Sequence, residues 1–236
     1  MSLRKHIKAI LFDLDGTLID VDLKKFIPEY LNLLASNVSH LVRSSKVISK
    51  LMIASQLIDK NDGSKTNEQV FNETFFPSIG YAREEINPYI DKFYEKDFPK
   101  LRKYTRRKPA ARKVMETAFK KGYNVVIATT PLLPEVAIRQ RLDWAGVPFE
   151  QFPYKLITSI ENSSANKPNL LYYKSIADTI GILPQDCLMV GDEEKDMSAA
   201  RIGMKTFLVR SSNTELGPDT PEPDYQGTLV DLEKML

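Results

Sequence analysis

The chain has 236 residues, 42% of them hydrophobic and 27% charged, with a formal net charge of +2. That is enough to bury one large core, alone or with a modest insertion, and the near-balanced charge calls for no nucleic acid and no acidic partner. The single cysteine, Cys187, excludes an internal disulfide, and two distant histidines, His6 and His40, argue against a zinc site.

Residues 1–8 are too polar for a secretory signal, and no segment reaches the ~18 continuous apolar residues of a membrane span. The expected setting is cytoplasmic, with no membrane partner. A catalytic metal would have to be held by oxygen ligands, which points to magnesium.

Residues 7–12 form a short apolar run that ends at an Asp-Leu-Asp-Gly-Thr turn, the pattern of a buried strand. Asp22 is placed to cap a helix with Leu23, Phe26, Ile27, Tyr30, Leu31 and Leu34 on its apolar side. Ser45 is placed to cap a second helix, through Val47, Ile48, Leu51 and Met52, and Asn61-Asp62-Gly63 breaks that pattern. Thr66 and Gln69 have capping-box spacing ahead of Phe71 and Phe75. Ile86, Tyr89, Ile90, Phe93 and Tyr94 mark a fourth helix, and no strand is predicted between about 21 and 100.

The texture then changes. Residues 102–108 are basic at all but Tyr104 and Thr105, as expected of a solvated hinge. Pro109 opens a helix that Gly122 ends, and strands are expected at 124–128, 154–158, 187–190 and 206–209. Helices are expected near 134–144, 168–180 and 197–202. Residues 211–227 read as a loop, with a short final helix after it.

Alternating apolar strands and helices predict an α/β fold, a doubly wound parallel sheet in a Rossmann-like core. About eighty helical residues separate the first strand from the rest, which predicts an inserted all-helical cap. The expected division is a core of residues 1–20 and 105–236 and a cap of residues 21–104.

In such sheets ligands sit beyond the carboxyl ends of the strands. The residues that follow the predicted strands are Asp13 and Asp15, then Thr129 and Thr130, then Gly191, Asp192 and Asp196, with Lys167 ahead of a helix. Clustered carboxylates repel one another unless a cation lies among them, so the set implies a divalent metal. Metal, ammonium and hydroxyl together can hold a phosphoryl group. Asp13, nearest the strand end, suits a nucleophile, and Asp15 suits an acid that protonates the leaving alcohol and then deprotonates water. Gly16 permits a sharp turn that lets backbone N–H groups, those of Leu14 and Gly16, approach the phosphate beside Thr129, Thr130 and Lys167. Asp192 and Asp196 would complete the metal site, directly or through water. Cys187, inside a predicted strand, reads as a core residue.

Through these residues the chain resembles the haloacid-dehalogenase-like superfamily. Phe12-Asp13-Leu14-Asp15-Gly16-Thr17-Leu18 matches its first motif, Thr129 its second, Lys167-Pro168 its third, and Val190-Gly191-Asp192-Glu193-Glu194-Lys195-Asp196 its fourth. Gly203-Met204-Lys205-Thr206 and Pro223-Asp224-Tyr225 are similar to the closing segments of phosphoglycolate-phosphatase-like members. The resemblance implies hydrolysis of a small phosphorylated metabolite through an aspartyl phosphate on Asp13. It implies phosphate contacts from Thr129 and Lys167, and magnesium on Asp13, the Asp15 backbone carbonyl and Asp192, with Asp196 in support. Many relatives carry asparagine where Thr130 stands, which bears on substrate fit rather than reaction class. A phosphomutase is the nearest rival and a non-catalytic binding module a remote one. Retention of Asp15 and Asp192 argues against carbon–halogen hydrolysis.

Overall fold

The computed structural model describes residues 6–211, 214 and 216–236. Most of the polar start at 1–8, and residues 212, 213 and 215 of the expected loop, lie outside the described residues. In chain order, strand β1 (Ala9–Phe12) and a short strand β2 (Ile19–Val21) precede helices α1 (Leu23–Asn37), α2 (Ser44–Asp59), α3 (Asn67–Ile79) and α4 (Arg83–Lys92). A π turn over Phe93–Asp97 and a 3-10 turn over Phe98–Tyr104 lead to β3 (Thr105–Arg107). Then come α5 (Pro109–Lys120), β4 (Asn124–Ile127), α6 (Glu135–Ala145), β5 (Leu156–Ile157) and α7 (Leu170–Ile180). The chain ends through β6 (Cys187–Gly191), α8 (Glu194–Met197), β7 (Lys205–Val209), β8 (Tyr225–Gly227) and α9 (Leu229–Met235).

Six strands form one parallel sheet in the order β5-β4-β1-β6-β7-β8. The fold is therefore the expected doubly wound α/β sheet. β1 is fully buried along its length, and its side chains divide between two cores. Ile10 and Phe12 join the cluster that holds α5, α6 and α9. Ala9 and Leu11 join the smaller cluster with Tyr172, Tyr173 and Ile176 of α7. This two-sided burial explains why the strand reads as an unbroken apolar run. β1 also lies where the strand order reverses, the place at which such sheets leave a crevice.

Helices α1–α4 stand between β2 and β3, and Phe26, Leu34, Leu51, Phe75 and Phe93 of this region belong to the same apolar cluster as Ile10 and Phe12. β2 and β3 pair antiparallel, with Ile19 opposite Arg107 and Val21 opposite Thr105. This two-stranded ribbon is absent from the sequence reading, because two strands of three residues offer no periodicity to detect. The ribbon takes in part of the basic run. Arg106 and Lys108 pair with Asp20 at 2.9 and 3.3 Å.

Several local expectations are corrected. Asp22 holds the N-cap position of α1 but makes no side-chain cap; its carboxylate pairs with Lys25 at 2.9 Å instead. Ser45 does not cap α2, which begins two residues earlier than expected, at Ser44 with Arg43 at the cap. The expected 197–202 helix is one α turn, α8, followed by a 3-10 turn over Ser198–Ile202. The loop reading of 211–227 missed β8, an edge strand of three residues. Thr66 and Gln69 do form the expected capping box.

A second attachment ties the helical insertion to the sheet. Backbone N–H groups of Asn67 and Glu68 donate to the carbonyls of Ser163 and Ile160 at 2.7 and 2.8 Å. The buried Asn67 amide donates to Asn166 Oδ1 at 3.0 Å and the Pro131 carbonyl at 3.3 Å, and accepts from Asn61 at 2.8 Å. Asn166 in turn donates to Asp59 at 2.7 Å. Breaking a buried network on one side strands the partners left behind. Asn67→Ala is expected to destabilise the protein by about 1–3 kcal/mol. Urea unfolding measures it, and an unchanged midpoint would show that the network holds nothing.

Candidate active site

The site is built at the carboxyl edge of β1, β4 and β6. Asp13 directly follows β1, and its N–H donates to the Val190 carbonyl of β6 at 2.8 Å. The chain then turns sharply: Gly16, at φ 77°, donates its N–H to the Ile19 carbonyl, and Leu18 and Ile19 donate to Leu14. A Cβ on Gly16 would lie 2.0 Å from Asp192 Oδ2, and one on Gly191 would lie 2.2 Å from Asp196. Both positions therefore require glycine if the carboxylates are to converge. Leu14 is fully buried, so its side chain packs in the core and only its backbone faces the turn.

Lys167 is the pivot. Its side chain is fully buried, and Nζ donates to Asp13 Oδ1 at 2.7 Å and to Asp196 Oδ1 at 2.6 Å. Burial works against the ammonium, but the carboxylates of Asp13 and Asp196 outweigh it and hold its pKa well above the ordinary lysine value. Asp196 is also fully buried; burial raises its pKa against the lowering effect of Lys167. Its other oxygen accepts from the Glu193 N–H at 3.2 Å, closing a capping box on α8. Asp192 accepts from Thr17 Oγ1 at 2.9 Å. Burial, then the charge on Asp13, push its pKa up to about 7. Oxygens of Asp13, Asp192 and Asp196 lie within 4.8 Å of one another, a set able to hold a metal ion.

Thr129 is buried past the end of β4, and its carbonyl accepts from Thr158 Oγ1 at 2.9 Å and from Tyr172 OH at 2.8 Å. Those two bonds fix the backbone that carries Thr129 and Thr130. Glu193 and Glu194 stay outside the cluster, paired with Lys195 at 2.7 Å and with the Gly217 N–H at 3.2 Å respectively. Cys187 is buried in β6, as expected of a core residue.

Asp15 does not stand alone. The guanidinium of Arg141, on α6, forms an ion pair with its Oδ1. It is a charge contact rather than a directed hydrogen bond, and Arg141 Nε has no hydrogen-bond partner. Arg141 is 4% exposed; burial lowers its pKa to about 10, which still leaves it charged near neutrality. Its Cζ lies 5.7 Å from the centre of the Phe26 ring. Sequence reasoning missed it. The signal was present: Ala137, Ile138, Arg141, Leu142 and Ala145 share one buried face of α6, and a charge on such a stripe needs a partner.

A cavity of about 660 Å³ opens beside these groups, with Asp15, Thr129, Thr130 and Arg141 at one end and side chains of α1–α4 around the rest. Arg43, Lys46 and Lys50 are not among its lining residues; Lys46 donates to the Ile79 carbonyl instead. Among the described residues no helix is long and apolar enough to cross a membrane.

Comparison with known proteins agrees with this architecture. Over 236 residues the chain is 25% identical to the pyrophosphatase PpaX of Bacillus velezensis, covering 98% of this chain and 94% of that one. A 2-haloacid dehalogenase from Pseudomonas syringae superimposes with a TM-score of 0.64 at 19% identity, over 97% of both chains. A phosphatase from Thermococcus onnurineus does so with a TM-score of 0.58 at 19% identity, again over 97% of both. The model of the haloacid dehalogenase-like hydrolases matches residues 7–202, and the chain belongs to that family.

Proposed function

We infer that the protein is a magnesium-dependent phosphatase acting on a small phosphate monoester, with a core of residues 1–20 and 105–236 and a helical cap of residues 21–104. The observation that carries this is the convergence of Asp13, Asp192, Asp196 and Lys167 in one buried cluster. Three carboxylates face one ammonium there, so the cluster has an excess of negative charge. Burial, and after it the charge on Asp13, raises the pKa of Asp192. An oxygen-only donor set with surplus negative charge fits Mg²⁺, held by Asp13, Asp192 and the Asp15 carbonyl, with Asp196 supporting through Lys167. When bound, the ion supplies charge neutralisation for an anionic phosphate beside Asp13.

The protein's own groups carry the rest. Lys167 and Thr129, with the N–H groups of the Leu14–Gly16 turn and the Thr130 hydroxyl, bind the phosphoryl oxygens. An Asp13 carboxylate oxygen attacks phosphorus as the ester P–O bond breaks, and Asp15 gives its proton to the departing alcohol. Water then attacks the aspartyl phosphate while Asp15 takes one of its protons, which releases phosphate and restores Asp13. Arg141 positions the Asp15 carboxyl against the cavity. The expected cellular setting is the cytoplasm.

Asp13→Asn is expected to reduce magnesium-dependent phosphate release from p-nitrophenyl phosphate by roughly a thousandfold or more, and EDTA to abolish it in the native chain. Colorimetric assay of phosphate decides this; activity that survives the substitution would remove Asp13 from the role of nucleophile.

A pH effect follows from Asp192. Its folded pKa, about 7, exceeds the unfolded value near 3.8, so its protonated form favours the folded state. That contribution is complete below the unfolded pKa and is lost as pH rises through the folded one. In EDTA the urea midpoint is therefore expected to fall between about pH 4 and pH 7. Asp192→Asn should flatten the fall, and magnesium should raise the midpoint more at the upper end of the range. A profile identical in native and variant chains would overturn the assignment.

A further inference from the structure

The cavity beside Asp15 has two unlike ends. Near the sheet it offers charge and hydroxyls, from Asp15, Arg141, Thr129 and Thr130. Elsewhere its wall is dominated by aromatic and aliphatic side chains, among them Phe26, Tyr30, Leu34, Leu51, Phe71 and Phe75. At its rim Ile27 is 49% exposed and Met52 53% exposed.

Several polar groups of the wall are already engaged, while Gln56, Asn72 and Asn87 also line it. Glu68 pairs with Arg83 at 2.7 Å. Asp59 accepts from Asn166 at 2.7 Å, and Glu161 accepts from the Glu135 N–H at 3.1 Å. Ser55 donates to the Leu51 carbonyl at 3.1 Å. Against the aromatic and aliphatic stretches of this wall a sugar or other polyhydroxy alcohol would lose water without replacement, and each unmatched hydroxyl weakens binding. The wall also carries the carboxylates Asp59, Glu68, Asp91 and Glu161 against one cation, Arg83. A second anionic group on the substrate would therefore be repelled.

We propose, on the phosphatase reading above, that the substrate is a phosphate monoester of an uncharged, bulky, apolar alcohol. The phosphate lies at the Asp15–Arg141 end and the hydrocarbon fills the space among α1–α4. The volume suits a drug-sized group, far larger than a glycolyl or a second phosphate. Apolar contact in such a pocket discriminates by about tenfold or more per well-buried methylene. The preference should therefore be large.

The test compares alkyl esters with nearly equal leaving groups: cyclohexylmethyl phosphate, methyl phosphate and glycerol 1-phosphate, each with magnesium. The cyclohexylmethyl ester is expected to have kcat/KM at least about tenfold above both others. Ile27→Asp, at the exposed rim, is expected to lower the cyclohexylmethyl-to-methyl ratio. Equal or better turnover of glycerol 1-phosphate, or a ratio unmoved by Ile27→Asp, would overturn the proposal. Calorimetry with cyclohexylmethylphosphonate and methylphosphonate separates the two claims. Tighter binding of the former without turnover of any ester would keep the apolar pocket and sink the phosphatase reading. Equal binding would sink the pocket.

Discussion

A single buried ammonium sets the terms for the whole active edge. Lys167 is sealed from solvent and touches two carboxylates, Asp13 and Asp196, that belong to chain segments far apart in sequence. A buried charge without a partner is costly, and removing one member of such a set leaves the others exposed to that cost. The contact thus obliges three things at once. β1 and β6 must be neighbours in the sheet, the approach to α7 must arrive at the same edge, and the loops must pass close enough for carboxylates to meet. Gly16 and Gly191 make the last possible, since a Cβ at either would enter the space of Asp192 or Asp196. The arrangement still sets three carboxylates against one ammonium, and burial, then the charge on Asp13, raises the pKa of Asp192.

The helical insertion is not an independent ball on a string. Its apolar side chains run into the same cluster as one face of the sheet. Besides the β2–β3 ribbon, the start of α3 is tied to residues 160–166 by two backbone bonds and the Asn67 amide network. A hinge at the ribbon alone could rotate freely. A hinge plus this second clasp cannot, unless the clasp breaks. The insertion is thus held at two places by named hydrogen bonds.

Much of this was legible in the sequence because it is encoded locally. The strand that ends in Asp-Leu-Asp-Gly-Thr must bury an apolar run and expose a turn, and Thr66 with Gln69 can do little else but cap a helix. Asp13, Asp192 and Asp196 follow apolar runs, and Lys167 stands ahead of the proline that opens a helix. What escaped was set by tertiary contact. Arg141 sits within a helix, not at a strand end, so a search along the sheet edge passes over it. The β2–β3 ribbon is too short for periodicity, and β8 is held mainly by its pairing with β7. Asn67 reads as an ordinary polar residue in the first turn of a helix; only the fold reveals that its amide spans two parts of the chain.

The family relationship leaves the reaction open, because proteins of this fold carry the names of both phosphatases and dehalogenases. The choice rests with the ends of the cavity. On the proposed reading, Asp15 at its border and Asp192 in the carboxylate cluster are the groups that phosphoryl transfer would use and displacement of halide would not. Arg141 joins the two ends: its guanidinium meets Asp15 on one side and the Phe26 ring on the other. A substrate that seats phosphate against the sheet must send its alcohol past that seam and into the apolar wall. Reaction class and substrate choice are then separable on physical grounds. The first is fixed by buried charge, which tolerates almost no change, and the second by hydrocarbon contact, which tolerates substitution at a gradual cost.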